Sequence, residues 1–269
     1  MDQAKLLEII KNNPNAIAHI DQPTDEMKWL ALRKNGLALQ HIAAPTREMQ
    51  EAAVDNNPQA LQFISDPTEE MLVSAVSHSW INLSYVKSPP VSLIKLALQQ
   101  AGWAIKYAQD PSEELQLLAV KKNYDALKFI KDPCASAQEE AVKISYNALR
   151  YINTPTPQAE RLAVKKDERA IRFVNDLDKQ KLLEFLKINI LVIRYMMHDI
   201  RISKAELEPV LRETLSDANV EEKYVRDYLN CTALEQCTGL TPLEKLRLID
   251  RYGSPKARRI AVDEKLKIK

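Results

Sequence analysis

Prolines stand at positions 23, 45, 67, 89, 111, 133 and 155, each 22 residues after the last. A fixed period of this size means that one local structure is built repeatedly and stacked on itself, the signature of a repeat array. Other columns keep the same step. Alanines recur at 31, 53, 75, 97, 119, 141 and 163, and Leu39, Leu61, Leu83, Ile105, Leu127, Leu149, Ile171 and Ile193 form an aliphatic column. Phe63, Tyr85, Tyr107, Phe129, Tyr151, Phe173 and Tyr195 form an aromatic one, with His19 and His41 in the same place earlier. Nine such units account for residues 1–198, and residues 199–269 read as a helical C-terminal capping segment.

Each unit carries two helix signals. Asp66-Pro67-Thr68-Glu69 and Asp110-Pro111-Ser112-Glu113 read as starts of a first helix, with the Asp as cap and the Pro at the first helical position. Met71, Leu72, Ala75 and Val76 then supply one apolar face. Asn13-Pro14, Asn57-Pro58, Asn123 and Asn189 start a second helix of about two turns, buried through residues such as Ala60, Leu61 and Ile64. Helices this short are marginal in water alone and must stack to persist. The aliphatic and aromatic columns are expected to fill the space between layers. No strand signal occurs, so the predicted fold is all-α: an α-solenoid of two-helix repeats with a helical cap.

The period weakens late. Leu177 stands where the next proline belongs, and after residue 198 the helical segments are irregular: SKAELEPVLRETL from Ser203, NVEEKYVRDYLN from Asn219, and TPLEKLRLIDRYG from Thr241. SPKARRIAV from Ser254 echoes the repeat.

Bulk properties narrow the function classes. Lys and Arg total 38 against 37 acidic residues, so no overall charge draws the chain to nucleic acid or membrane. Three cysteines, Cys134, Cys231 and Cys237, form no paired motif and fit a reducing, cytoplasmic setting. The most apolar run, from Leu182, is interrupted by Glu184, Lys187 and Arg194, so no membrane span is expected.

Chemistry is sparse. His19 and His41 lie in the aromatic column and read as packed rings; His78 and the His198-Asp199 pair match no metal or catalytic motif. The acidic pairs Asp25-Glu26, Glu69-Glu70, Glu113-Glu114 and Glu139-Glu140 recur where a helix macrodipole favours negative charge, and a catalytic pair needs to occur once. No cofactor, metal or catalytic residue is assigned, and the chain reads as a non-enzyme.

Features present in only part of the array are more informative. Residues 1–98 carry 8 basic and 11 acidic side chains, and residues 99–198 carry 16 and 13. In that later stretch Lys106, Lys128, Arg150, Arg172 and Arg194 occupy one column on the second helix. Lys121, Lys143, Lys165 and Lys187 occupy another at the end of the first. Trp80, Trp103, Tyr124 and Tyr146 lie at the turn between the helices, beside that second column. With layers about 8–10 Å apart, these residues predict a basic, aromatic surface. The bland alternative is a solvated helix face with dipole-favoured cations.

The pattern N-P-x-A-L-x-F-I-x-x-P-T-E-E-M, present from Asn57 to Met71, resembles a family of short two-helix repeats found in bacterial and bacteriophage proteins without assigned activity. The resemblance spans residues 1 to about 198, implies a phage–host setting and brings no catalytic residues. The expected function is protein binding, as a scaffold, adaptor or inhibitor. The alternative partner is single-stranded nucleic acid along the basic half.

Overall fold

The computed structural model describes residues 2–195 and 200–266. His198 and Asp199 lie outside the described residues. Among those described, all regular structure is helical, and no helix is long and apolar enough to cross a membrane. Nine ten-residue α-helices begin at intervals of 22: α1 (Gln3–Asn12), α2 (Asp25–Lys34), α3 (Arg47–Asn56), α4 (Glu69–His78), α5 (Val91–Gln100), α6 (Glu113–Lys122), α7 (Ala135–Ile144), α8 (Pro157–Lys166) and α9 (Lys179–Ile188). A six-residue helix follows each: η1 (Pro14–His19), η2 (Gly36–His41), η3 (Pro58–Phe63), η4 (Trp80–Tyr85), η5 (Gly102–Tyr107), η6 (Tyr124–Phe129), η7 (Tyr146–Tyr151), η8 (Glu168–Phe173) and η9 (Ile190–Tyr195). The interval holds through the ninth repeat although Leu177 replaces the proline; there Asp178 caps α9 by accepting from the Lys181 N–H at 2.7 Å.

Two local expectations need correction. The α-helices start two residues later than the Asp-Pro reading implied. Thr24, Thr46, Thr68, Ser112 and Thr156 are the caps, each accepting from the backbone N–H three residues on, as Thr68 does from Met71 at 3.2 Å. Pro67 lies outside the helix. Thr68, extended at φ −71° and ψ 163°, is the residue whose side-chain oxygen can reach back to the third N–H.

The second helix has the expected two turns, and they are of the 3₁₀ type. Its start is as expected, with Asn57 accepting from the Gln59 N–H and Pro58 at the first position. Its end explains the tighter form. The residue after it, Ile64, is extended and nearly buried, and its N–H reaches the Leu61 carbonyl at 3.1 Å, which closes a three-residue turn.

The aromatic column is only partly interior: Tyr85, Tyr107, Tyr151, Phe173 and Tyr195 are half-buried, and Tyr85 packs against the core. Phe63 is 37% and Phe129 40% exposed, and His19 and His41 are exposed rather than packed. With three residues per turn, the third and fourth positions of each η helix supply the buried pair, such as Ala60 and Leu61 or Ala126 and Leu127, and the sixth is left at the surface.

Several repeats lock the corner of the one before with an amide side chain. Asn56, at the end of α3, accepts from the Gly36 N–H at 2.7 Å and donates to the Arg33 carbonyl at 3.1 Å. Gln100, at the end of α5, accepts from the Trp80 N–H and donates to the Val76 carbonyl. Asn189 donates to the Val164 carbonyl in the same manner. Such bonds satisfy helix-end groups that would otherwise be left unpaired at a half-buried corner.

The chain divides into two compact units, Met1–Ile130 and Lys131–Lys269. In the first, α1 to α6 pack in sequence, as do η1 to η6, over a core that includes Ile10, Met27, Leu32, Leu61 and Met71. In the second, α7 to α9 pack in the same way. There α10 (Lys204–Ser216) runs along α9, and α11 (Glu222–Asn230) and α12 (Thr232–Thr238) cover η9. Helices α13 (Pro242–Tyr252) and α14 (Pro255–Leu266) complete this region, packed on each other and on α11. Capping boxes, Ser203 with Glu206 and Thr241 with Glu244, open α10 and α13. Lys245 is fully buried, and its ammonium donates to the Cys231 carbonyl at 2.8 Å, the Leu229 carbonyl at 3.5 Å and Glu235 at 3.0 Å.

Candidate partner-binding surface

The 3₁₀ geometry decides which side chains of the second helix meet. Positions three apart eclipse, so the fifth residue of each η helix lies over the second, away from the buried third and fourth. This places Lys106, Lys128, Arg150, Arg172 and Arg194 on the exposed side, one per repeat. Each is followed by the surface ring of the aromatic column.

In the first unit the cations are lysines that reach back one repeat. Lys106 Nζ lies 5.3 Å from the ring centre of Trp80 and 4.8 Å from that of Tyr107. Lys128 repeats the arrangement, 5.5 Å from Trp103 and 5.0 Å from Phe129. Asp125 ties this layer together, accepting from Trp103 Nε1 at 2.8 Å and from Lys128 at 3.0 Å. Partial burial pushes the Asp125 carboxyl up, but the Trp103 and Lys128 hydrogen bonds outweigh it and leave it below the usual aspartate value.

In the second unit the cations are arginines that reach forward. The Arg150 guanidinium lies 5.7 Å from the ring of Phe173, and that of Arg172 lies 4.6 Å from Tyr195. Arg169, which the sequence reading did not select, lies 5.1 Å from Tyr146, and Tyr146 stacks on Phe173 with centroids 6.4 Å apart. Arg169 is fixed by a two-pronged bond to Asp167, at 2.9 and 2.7 Å. That pair holds the Asp167 carboxyl below its ordinary value and the guanidinium above its own. Stacked cations of this kind gain about 0.5–1 kcal/mol each at exposed sites.

The two basic columns do not converge. Trp80 and Trp103 lie under the η-helix cations rather than beside the cations that end the α-helices. Of that second column, Lys143 meets Glu140 at 3.9 Å, Lys165 meets Glu221 at 2.6 Å, and Lys187 bridges Glu184 and Glu213. Arg194 is drawn to Glu168 at 3.8 Å. Among the described residues, Lys106, Lys121, Arg150 and Arg172 have no carboxylate partner, and Tyr124 is half-buried without a ring partner. The signal that would have found Arg169 is its three-residue offset from Arg172, visible only once the helix is read as 3₁₀.

A cleft of about 400 Å³ opens between α8, α9 and the start of α11, lined by Arg161, Lys165, Lys187, Asp217 and Glu221. Its two lysines are already paired with carboxylates, which leaves Arg161 as its one cation without a carboxylate partner among the described residues. Among the described residues no cluster of His, Cys, Asp or Glu could hold a metal ion; Cys231 is buried and Cys237 exposed. Comparison with known proteins gave no matching family model, no matching curated protein and no matching solved structure.

Proposed function

We propose that the protein is a non-enzymatic docking scaffold whose cation–aromatic ladders hold an acidic partner protein. The observation that carries this reading is that the ring faces are already covered by the protein's own cations. Lys106, Arg150 and Arg172 are thereby held in place and keep N–H groups with no carboxylate partner. A side chain ordered in advance loses less entropy when a carboxylate binds it. Single-stranded nucleic acid is less well served, because base stacking needs bare rings. The resemblance of the repeat to two-helix repeats of bacterial and bacteriophage proteins is in keeping with a scaffold and with a phage–host setting.

The test is affinity purification from the native cells at moderate salt, split into nuclease-treated and untreated halves, with wild type beside a Lys106→Glu, Arg150→Glu, Arg172→Glu variant. A stoichiometric protein that survives nuclease and is lost from the variant supports the scaffold. Nucleic acid recovered alone, with a steep salt dependence, replaces it by the single-strand reading.

A further inference from the structure

Helix α14 is apolar on two sides. Ala257, Ile260 and Ala261 are buried where the helix packs on α11 and α13. Val262 and Leu266 face away, 58% and 64% exposed. Arg258, Ala261, Val262, Lys265 and Leu266 stand at i, i+3, i+4, i+7 and i+8, so they share one side of the helix. Leu246, Ile249 and Asp250 of α13 line the facing wall, and the two helices enclose an open groove of about 380 Å³. Leu243, three residues before Leu246 and 57% exposed, extends the α13 wall by a turn. Two helices that share an apolar trough leave a seat for a third.

Charge indicates which helix fits. Residues 242–269 carry nine basic side chains against four acidic, whereas residues 199–241 carry five against nine. Arg258 and Lys265 flank the apolar stripe, and neither has a carboxylate partner among the described residues. A second copy docking groove to groove would bring like charge against like charge. The single acid of the trough, Asp250, lies on the α13 wall and makes the two sides unequal, which favours one orientation of the occupant.

We infer that the α13–α14 groove is a docking site for an acidic amphipathic helix of a partner protein, distinct from the cation–aromatic ladders. The occupant's apolar face meets Leu246, Ile249, Val262 and Leu266, and its carboxylates meet Arg258 and Lys265.

The experiment uses the full chain and three labelled helical peptides that share one leucine face and carry Glu, Gln or Lys on the other. Fluorescence anisotropy is expected to show the Glu peptide binding about tenfold tighter than the Gln peptide, and the Lys peptide weakest. Val262→Asp and Arg258→Glu should each weaken the Glu peptide by about tenfold with an unchanged melting temperature, since both side chains lie at the surface. Equal binding of the Glu and Gln peptides, or wild-type binding by Val262→Asp, overturns the proposal. So does sedimentation showing a dimer that Val262→Asp dissolves, which would make a second copy the occupant. The ladder variant with Lys106, Arg150 and Arg172 reversed should bind the Glu peptide as wild type does; loss there would move the peptide to the ladders and leave the groove without its assigned ligand.

Discussion

The repeats and the C-terminal helices solve the same problem, unpaired groups at helix ends, with one device in common and one that is not. The repeats use one inexpensive device many times: a Thr or Ser cap, an Asn at the corner, and an amide from the next layer. The C-terminal region keeps Ser and Thr caps on α10 and α13 but adds a singular device, the buried Lys245, which alone gathers the carbonyls of Leu229 and Cys231 and the carboxylate of Glu235. The difference concerns how damage spreads. A repeat depends mainly on its neighbours, so a lost bond there is a local loss. A keystone serves several elements at once.

The largest expected effect follows from removing that keystone. Lys245→Met keeps the side chain's bulk but leaves buried carbonyls without a donor, at a cost of about 3 kcal/mol. Amide exchange should rise in α11, α12 and α13 together. The first unit can be followed separately by fluorescence, because Trp29, Trp80 and Trp103, the only tryptophans in the sequence, all lie within it. A tryptophan transition shifted as far as the exchange in α11 would dissolve the contrast.

Next in size is Gly36→Ala. The added methyl would press on the backbone carbonyl oxygen of Ala53, which has no freedom to withdraw, and about 1–3 kcal/mol is expected. Denaturant titration followed by tryptophan fluorescence measures it. Thr68→Ala removes one cap and should cost about 1 kcal/mol. Exchange is expected to increase in α4 and its immediate neighbours; an increase of the same size in α1 would mean that the array does not behave layer by layer.

The smallest effect is in acid. Lys179 and the Ser203 N–H hold the Glu206 carboxyl down at about 2, and Lys204 and the Thr241 N–H do the same for Glu244. A folded value below the unfolded one of 4.5 contributes stability that is fully present above that pH and fades as pH falls toward 2. Helices α10 and α13 should therefore lose exchange protection over that window before α4 does. Simultaneous loss would show that the capping boxes contribute nothing distinctive.

Much of the fold was legible because spacing alone encodes it: the 22-residue step, the buried alanines and the Asn starts of the second helix are where the sequence places them. The positions of the α-helix caps were not, because Asp66 and Thr68 are both good caps and only backbone conformation chooses between them. Helix α12 was also missed: Thr232–Thr238 has no strong cap and is short. The surface was half legible. Lys106, Lys128 and the two tryptophans were picked out, but their pairing required the three-residue turn, and Asp125 and Arg169 follow from that turn alone.

The uniform start-to-start interval, kept even where Leu177 has displaced the proline, makes the repeat a unit of editing. A deletion of 22 residues from the middle of the first unit would remove one layer and rejoin equivalent positions, so that the helices on either side meet in the spacing they already use. A deletion of one residue would instead leave a single layer short and turn its helix out of register with the layers on either side, while later layers keep their own 22-residue spacing. Length variation in such a chain should therefore come in whole layers.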